Sequence, residues 1–453
     1  MKNIKDKHIV VAGAARSGAA AATLLAGRGA EVFVTERDRI GSDFRGRLRD
    51  AGIPFEEGGH TGRARKGDFL VVSPGMPSSA PLVRSYLEAG KAVYSELEAA
   101  SWFCRSPMVA VTGSNGKTTV ANWLDHTWRT AGRDPVLAGN IGPAFSDHVD
   151  RTSPDREAIL EVSSFQLDHI DTFCPYISLL LNVTPDHLDR YDNDFERYAA
   201  SKRRITENQG EGDCFIYGAD DPTASAHADT FKKKAGSPRL LAFSRKREVR
   251  SGAFLRDQQI ILNIDDNEEV LMPIDEVGLR GKHNLNNGLA TALAARAAEI
   301  KNDVIRESLR TFEGVEHRLE EVRSHDGVRY INDSKATNIN AVWYALDSFN
   351  VPMVLILGGR DKGNDYGELA QQIREKVHTV VAIGEARPLI EEQLKGVVPQ
   401  LMTAADMAEA VRLSRANAKR GEIVLLSPAC ASFDMFENYE HRGNEFKKAV
   451  NNL

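Results

Sequence analysis

Short apolar runs recur along the chain, and most are followed by a stretch with helical spacing. His8-Ile9-Val10-Val11, Glu31-Val32-Phe33-Val34-Thr35 and Phe69-Leu70-Val71-Val72 predict buried strands, with an Ala-rich helix from about Ser17 after the first. Met108-Val109-Ala110-Val111, Ala158-Ile159-Leu160-Glu161 and Ile177-Ser178-Leu179-Leu180-Leu181 predict strands of a second sheet. Alternation of apolar strands with helical stretches is the pattern of parallel α/β layers. Between residues 240 and 274 the texture changes to short alternating segments, which predicts an antiparallel flap of hairpins. Helices are expected over 195–208, 285–300 and 303–312. Residues 328–331, 353–357, 379–383 and 422–426 predict a third sheet. The expected fold class is α/β in three domains. Residues 1–98 read as Rossmann-like, 99–313 as a P-loop ATPase-like, mostly parallel sheet with a small antiparallel flap, and 314–453 as Rossmann-like again.

A length of 453 residues suits about three domains. The 42% hydrophobic content allows each a core. The net charge of -6 argues against a nucleic-acid partner, which needs a basic footprint. No apolar stretch approaches the ~20 residues of a membrane span, and residues 1–13 lack a signal-peptide pattern. Cys104, Cys174, Cys214 and Cys430 are scattered, form no C-x-x-C pair and read as reduced thiols. A cytoplasmic chain is expected, and a monomer, since no coiled-coil seam is visible.

The strongest local signal is Val111-Thr112-Gly113-Ser114-Asn115-Gly116-Lys117-Thr118-Thr119. A strand enters, glycines turn, and a helix leaves. Such a loop lets backbone N–H groups close on phosphate oxygens, with the helix N-terminus adding positive charge. Lys117 would reach the outer phosphates, and Thr118 would bind Mg²⁺. The competing reading is a ligand-free turn with a solvated lysine. Gly13-Ala14-Ala15-Arg16-Ser17-Gly18 is a weaker signal, because alanine at 15 breaks the G-x-G-x-x-G spacing. A tight turn without ligand explains it as well, and a dehydrogenase is disfavoured.

Glu161 ends a strand, where α/β proteins place ligand groups and where a carboxylate suits Mg²⁺. Ser163 or Ser164 could also cap the next helix, and both readings can hold together. His187 follows a buried strand of the same sheet. Lys202 reads, from helical spacing alone, as part of a solvated basic face.

Taken in order, these stretches resemble the Mur ligase family over essentially the whole chain. The carrying motifs are V-T-G-S-N-G-K-T-T, E-V-S-S-F-Q-L, N-V-T-P-D-H-L-D-R-Y, G-K-H-N-L-N-N, His317-Arg318, N-D-S-K-A-T-N, L-G-G-R-D-K-G and S-P-A-C-A-S-F-D-M-F. The resemblance implies an ATP-dependent ligase working through an acyl phosphate. It implies ATP contacts from residues 113–119, Asn284, Asn287, Arg318 and Asp333. Thr118, Glu161, His187 and a carbamylated Lys202 would hold Mg²⁺; carbamylation needs a neutral amine, hence a lowered lysine pKa. Lys117, His187 and Lys202 become the catalytic candidates. The stretch 332–338 looks like that of the members that add D-glutamate, which implies UDP-N-acetylmuramoyl-L-alanine as donor. Lys335, Thr337, Lys362, Ser427 and Phe433 would form the D-glutamate pocket. Arg16, Ser17, Glu36, Arg37, Ser73, Gly75 and Asn140 would receive the UDP-linked donor.

Overall fold

The computed structural model describes residues 2–232, 234–279, 281–361 and 363–453. Among the described residues, twenty strands form three sheets. The first has five parallel strands: β1 (His8–Ala12), β2 (Glu31–Thr35), β3 (Phe55–Glu56), β4 (Phe69–Val72) and β5 (Val93–Ser95), in the order β3-β2-β1-β4-β5. The two-residue β3 and three-residue β5 carry too short an apolar run to stand out in sequence.

The second sheet contains β6 (Met108–Thr112), β7 (Val136–Gly139), β8 (Ala158–Glu161), β9 (Ile177–Leu180), β10 (Cys214–Gly218), β11 (Arg239–Ser244), β12 (Gly252–Arg256), β13 (Gln259–Ile264) and β14 (Asn267–Pro273). Its order is β14-β13-β12-β11-β10-β9-β6-β8-β7. Only β12-β13-β14 pair antiparallel. The expected flap of hairpins is thus real, and it continues the edge of the central sheet, because β12 pairs parallel with β11.

β15 (Glu320–His325), β16 (Val328–Asn332), β17 (Met353–Gly358), β18 (Val377–Ile383), β19 (Gln400–Thr403) and β20 (Ile423–Leu426) make the third sheet, ordered β15-β16-β20-β17-β18-β19. All its pairs are parallel except β15 with β16. By compactness the chain divides into one unit of Met1–Gly278 with Leu285–Phe312, and a second of Leu279–Asn284 with Glu313–Leu453. The first two sheets share the first unit.

Each sheet is apolar on both faces at its centre. Val109, Ala110, Val111, Ile159 and Leu160 are fully buried, as are Val354, Leu355 and Ile356. Helices cover those faces closely; Ala19, Ala20, Ala21 and Ala22 of the helix Arg16–Gly27 have no exposed surface. Among the described residues no helix is long and apolar enough to cross a membrane.

The reversals of strand order decide where ligands can sit. In the central sheet β6 lies between β9 and β8, with Val111 beside Glu161 and Thr112 beside Leu180. Loops leaving neighbouring strands on opposite faces open a crevice at that point. The segments after β6, β8 and β9 therefore meet there.

Candidate active site

Gly113 (φ 151°) and Gly116 (φ 89°) turn the chain from β6 into the helix Lys117–Thr130. Gly116 lies so close beneath the Asn287 carboxamide that a Cβ there would come within 2.5 Å of its oxygen. The loop is held from β9: Ser114 N–H donates to Asn182 O (2.9 Å) and Asn115 N–H to Asn182 Oδ1 (2.9 Å). Ser114 Oγ donates to Thr184 O (2.8 Å) and meets the Tyr198 hydroxyl at 2.9 Å. Lys117 folds back, its Nζ donating to Gly113 O (2.7 Å) and Ser114 O (2.9 Å).

Glu161 stands beside this turn as the register requires. Thr118 Oγ1 donates to one carboxylate oxygen (2.7 Å) and Asn140 Nδ2 to the other (2.8 Å). The cap expected at this strand end is present. Ser163 and Gln166 form a capping box on the short helix Ser164–Leu167, directly behind Glu161.

Lys202 overturns the reading from helical spacing. It is 2% exposed, not part of a solvated face. The stripe Phe195, Tyr198, Lys202 and Ile205 follows helical spacing and turns inward, with Tyr198 and Ile205 buried; the helix Phe195–Arg203 is capped by Asp194. Lys202 Nζ donates to Gly113 O (2.8 Å) and lies 4.7 Å from the Tyr198 ring centre. Desolvation, then the neighbouring Lys117 charge, push its pKa well below the ordinary lysine value, against Asp186, Asp168 and Glu161. The helix also ends earlier than expected, passing into a 3-10 turn at Arg204–Thr206.

His187 sits in the left-handed region (φ 51°), a conformation that costs energy for a non-glycine residue and recurs at functional sites. Its ring is 41% exposed, 3.7 Å from Asp186 Oδ2 and edge-on to Phe165. Arg190, which the motif reading passed over, stacks on Phe165 and reaches Pro74 O (3.2 Å) and Gly75 O (3.3 Å). It ties the His187 loop to the loop after β4. That is the loop of the donor candidates Ser73 and Gly75.

Around the first glycine turn, Ser73 Oγ donates to Gly13 O (3.2 Å), and the Glu36 carboxylate accepts Ala14 N–H (2.7 Å). Arg16 and Arg37 are exposed beside it, and Ser17 is half-buried. Arg37 pairs with Asp38.

In the second unit, the loops after β16, β17 and β20 gather at one sheet edge, because Asn332 and Ile356 both pair with Leu426. Ser427 Oγ donates to Asp333 Oδ2 (2.8 Å), and Leu319 N–H donates to Oδ1 (3.2 Å). Burial raises Asp333 to about 7, against the opposing pull of Arg318. Lys335 lies 5.3 Å from the Tyr439 ring, Thr337 is half-buried and Phe433 is 62% exposed. Lys362 lies outside the described residues. Asn284 and Asn287 are both buried on the helix Lys282–Ala297.

Arg442 was not singled out from the sequence. It is fully buried, and its guanidinium donates to Ser334 Oγ (3.0 Å), Ser334 O (2.8 Å) and Cys430 O (3.1 Å). The stripe Tyr439, Arg442, Phe446, Val450 was the available signal, since it puts an arginine on an apolar helix face.

A glycine turn backed by a buried lysine, with a threonine held on a strand-end carboxylate, defines a nucleoside-triphosphate-binding α/β protein. Residues 111–295 match the Mur ligase middle domain, 317–430 the Mur ligase glutamate ligase domain, and 9–81 the MurD N-terminal domain. The UDP-N-acetylmuramoylalanine–D-glutamate ligase of Salinibacter ruber is 52% identical over 455 aligned residues, covering 99% of each chain. That of Chlorobaculum parvum is 45% identical, over 99% of this chain and 98% of its own. Among solved structures, a UDP-N-acetylmuramate–alanine ligase from Thermotoga maritima has a TM-score of 0.59 at 16% identity, over 98% of this chain and 99% of its own. The chain belongs to the Mur ligase family.

Proposed function

We propose that the chain joins the carboxylate of UDP-N-acetylmuramoyl-L-alanine to the amine of D-glutamate, consuming ATP and releasing ADP and phosphate, in peptidoglycan precursor synthesis. The observation that carries the chemistry is the desolvated Lys202 under the phosphate loop, beside Lys117 and the Thr118–Glu161 pair. The acceptor is read from relatives whose names carry D-glutamate and which align with 99% of the chain. Residues 1–98 take the UDP end of the donor, 99–313 ATP, and 314–453 the acceptor.

The residues present fit a bound Mg²⁺ nucleotide. Thr119 Oγ1 is buried with no hydrogen-bond partner among the described residues, and it sits in the first turn of the helix that would receive phosphate. Thr118, Glu161 and His187 offer oxygen and imidazole donors at one edge. Thr118, Glu161, His187 and a Lys202 carbamate would hold the Mg²⁺, which when bound neutralises and orients the phosphate oxygens. The carbamate forms as the neutral amine adds to CO₂ and loses a proton; desolvation favours that neutral amine.

The donor carboxylate attacks the γ-phosphorus in line and ADP leaves. Lys117 and the amides at the helix N-terminus stabilise the developing charge. The D-glutamate amine then attacks the acyl carbon, and the tetrahedral intermediate expels phosphate. Arg16, Ser17, Glu36, Arg37, Ser73, Gly75 and Asn140 hold the donor; Asn284, Asn287, Arg318 and Asp333 hold the nucleotide. Lys335 and Lys362 offer cations to the acceptor carboxylates, with Thr337, Ser427 and Phe433 completing that pocket. Reduced thiols and nucleotide substrates suit a cytoplasmic enzyme, and we take it to act as a monomer.

The test is phosphate release from ATP with UDP-N-acetylmuramoyl-L-alanine and, in turn, D-glutamate, L-glutamate and other amino acids. Release with D-glutamate alone is expected. Release with a different amino acid would reassign the pocket, and none with any would sink the ligase reading.

A further inference from the structure

The loops after β17 and β20 carry three of the proposed acceptor residues, and a buried polar lock joins them from below. Their backbones are already in contact: Gly358 N–H donates to Pro428 O (2.9 Å), and Arg360 and Ala431 exchange N–H···O bonds of 2.9 and 3.2 Å. Beneath this pair Tyr366 is fully buried. Its hydroxyl reaches Asp361 Oδ1 at 3.2 Å and Cys430 Sγ at 3.0 Å. Asn364 Nδ2 donates to Ala429 O (3.2 Å) and lies 3.6 Å from Cys430 Sγ. Asp361 in turn accepts Gly363 N–H through Oδ2 (2.7 Å).

Two features show that this lock sets geometry and does more than fill space. Ala429 is held at φ 61°, a left-handed conformation that a non-glycine residue keeps only where its surroundings impose it. The Tyr366 ring lies in the apolar core, so its hydroxyl is carried to the loops by a side chain with little freedom. Burial pushes the Cys430 thiol up to about 11, so the sulfur stays a neutral hydrogen-bonding group at ordinary pH.

We propose that Tyr366, together with Asn364 and Cys430, is a positioning group that sets the affinity for the acceptor amino acid by fixing residues 358–361 and 363–364 against residues 427–433. The inference rests on the acceptor reading given above. None of the three side chains need touch the acceptor. Their effect passes through the spacing of the two loops, so it should fall on acceptor binding and leave the phosphoryl-transfer half-reaction alone.

Steady-state kinetics with each substrate varied separately tests this. Tyr366→Phe keeps the ring and removes the hydroxyl; KM for D-glutamate should rise about tenfold, the size expected when a buried hydrogen-bonding group loses its partner. KM for ATP and kcat should stay within about twofold, since no group at the phosphates is altered. Cys430→Ser, which keeps a hydrogen-bonding atom, should stay near wild type, whereas Cys430→Ala should move with Tyr366→Phe. If Tyr366→Phe fails to fold, Asn364→Ala reads the same lock from nearer the surface. An unchanged D-glutamate KM in Tyr366→Phe and Cys430→Ala would overturn the proposal. So would an equal rise in KM for all three substrates, which marks a merely structural role. A wild-type enzyme with no D-glutamate-dependent phosphate release would show instead that the acceptor reading itself had failed.

Discussion

Two turns in this molecule share a plan and differ in chemistry. Gly13 to Gly18 and Gly113 to Thr118 each follow the first strand of their sheet, where its pairs are parallel, and open a helix. In the first, the turn closes on itself. A Cβ at Gly18 would lie 1.8 Å from Gly13 O, and the Glu36 carboxylate already occupies the Ala14 amide. In the second, the amides of Ser114 and Asn115 are held by neutral Asn182, and two lysines converge on Gly113 O. A fixed anion at the tip of β2 repels phosphate and suits hydroxyl and N–H donors, as at the ribose end of a nucleotide. Converging cations, with the Ser114 and Asn115 amides on a neutral partner and the Glu161 carboxylate turned to Thr118, suit phosphate. On the proposed function, the same backbone motif serves a sugar-nucleotide end in one place and a triphosphate in the other, and the carboxylate on the Ala14 amide marks the difference.

The sharpest break of this comparison is Lys117→Ala. Turnover should fall at least ~10³-fold, with an unchanged circular dichroism spectrum, because the loop loses the cation proposed to meet the phosphates. Retained turnover would remove the phosphate assignment. Lys202→Ala should lose on the order of 10²-fold and regain part of it with added short carboxylic acids, if the lysine acts as a carbamate ligand. Full activity of this variant without additive would refute that role. Glu36→Gln tests the other turn: the donor KM should rise roughly tenfold while the ATP KM holds. A matching change in the ATP KM would show that the two turns are not separable.

The smallest effect concerns the second unit. Asp333 is raised to about 7, so the folded chain holds its proton more tightly than the unfolded chain, whose aspartates titrate near 4. Stability from this group is therefore present below about pH 4 and lost as pH rises to about 7. Asp333→Asn should remove that loss. Melting temperatures of variant and wild type should draw apart between pH 5 and pH 8, the variant gaining. A constant gap would show that Asp333 titrates normally.

The sheets and the phosphate loop were legible because they rest on local signals: buried apolar runs, glycines where φ is positive, and a lysine and threonines opening a helix. Glu161 was legible for the same reason, as a charge ending an apolar strand. Lys202 was misread on spacing because its three neighbours, Ser201, Arg203 and Arg204, are polar. The stripe of Phe195, Tyr198 and Ile205 on its own face held the truer signal. Arg442 was missed in the same way. Asn182 and Arg190 act across chain distances of 67 and more than a hundred residues, which no local pattern encodes. The short strands β3, β5 and β19 form only because a neighbour already offers an edge to pair with.

The register between β6 and β8 has one further consequence. β8 is buried along its whole length and apolar on both faces up to Leu160. Hydrophobicity alone would tolerate a slip of one residue there, since either face meets a core. Such a slip would turn the Glu161 carboxylate away from Thr118 while leaving the sheet nearly as well packed. Along this strand the alignment stores an address that oiliness cannot read, and the burden of getting it right falls on the turns and caps at either end, the Ser163–Gln166 capping box among them.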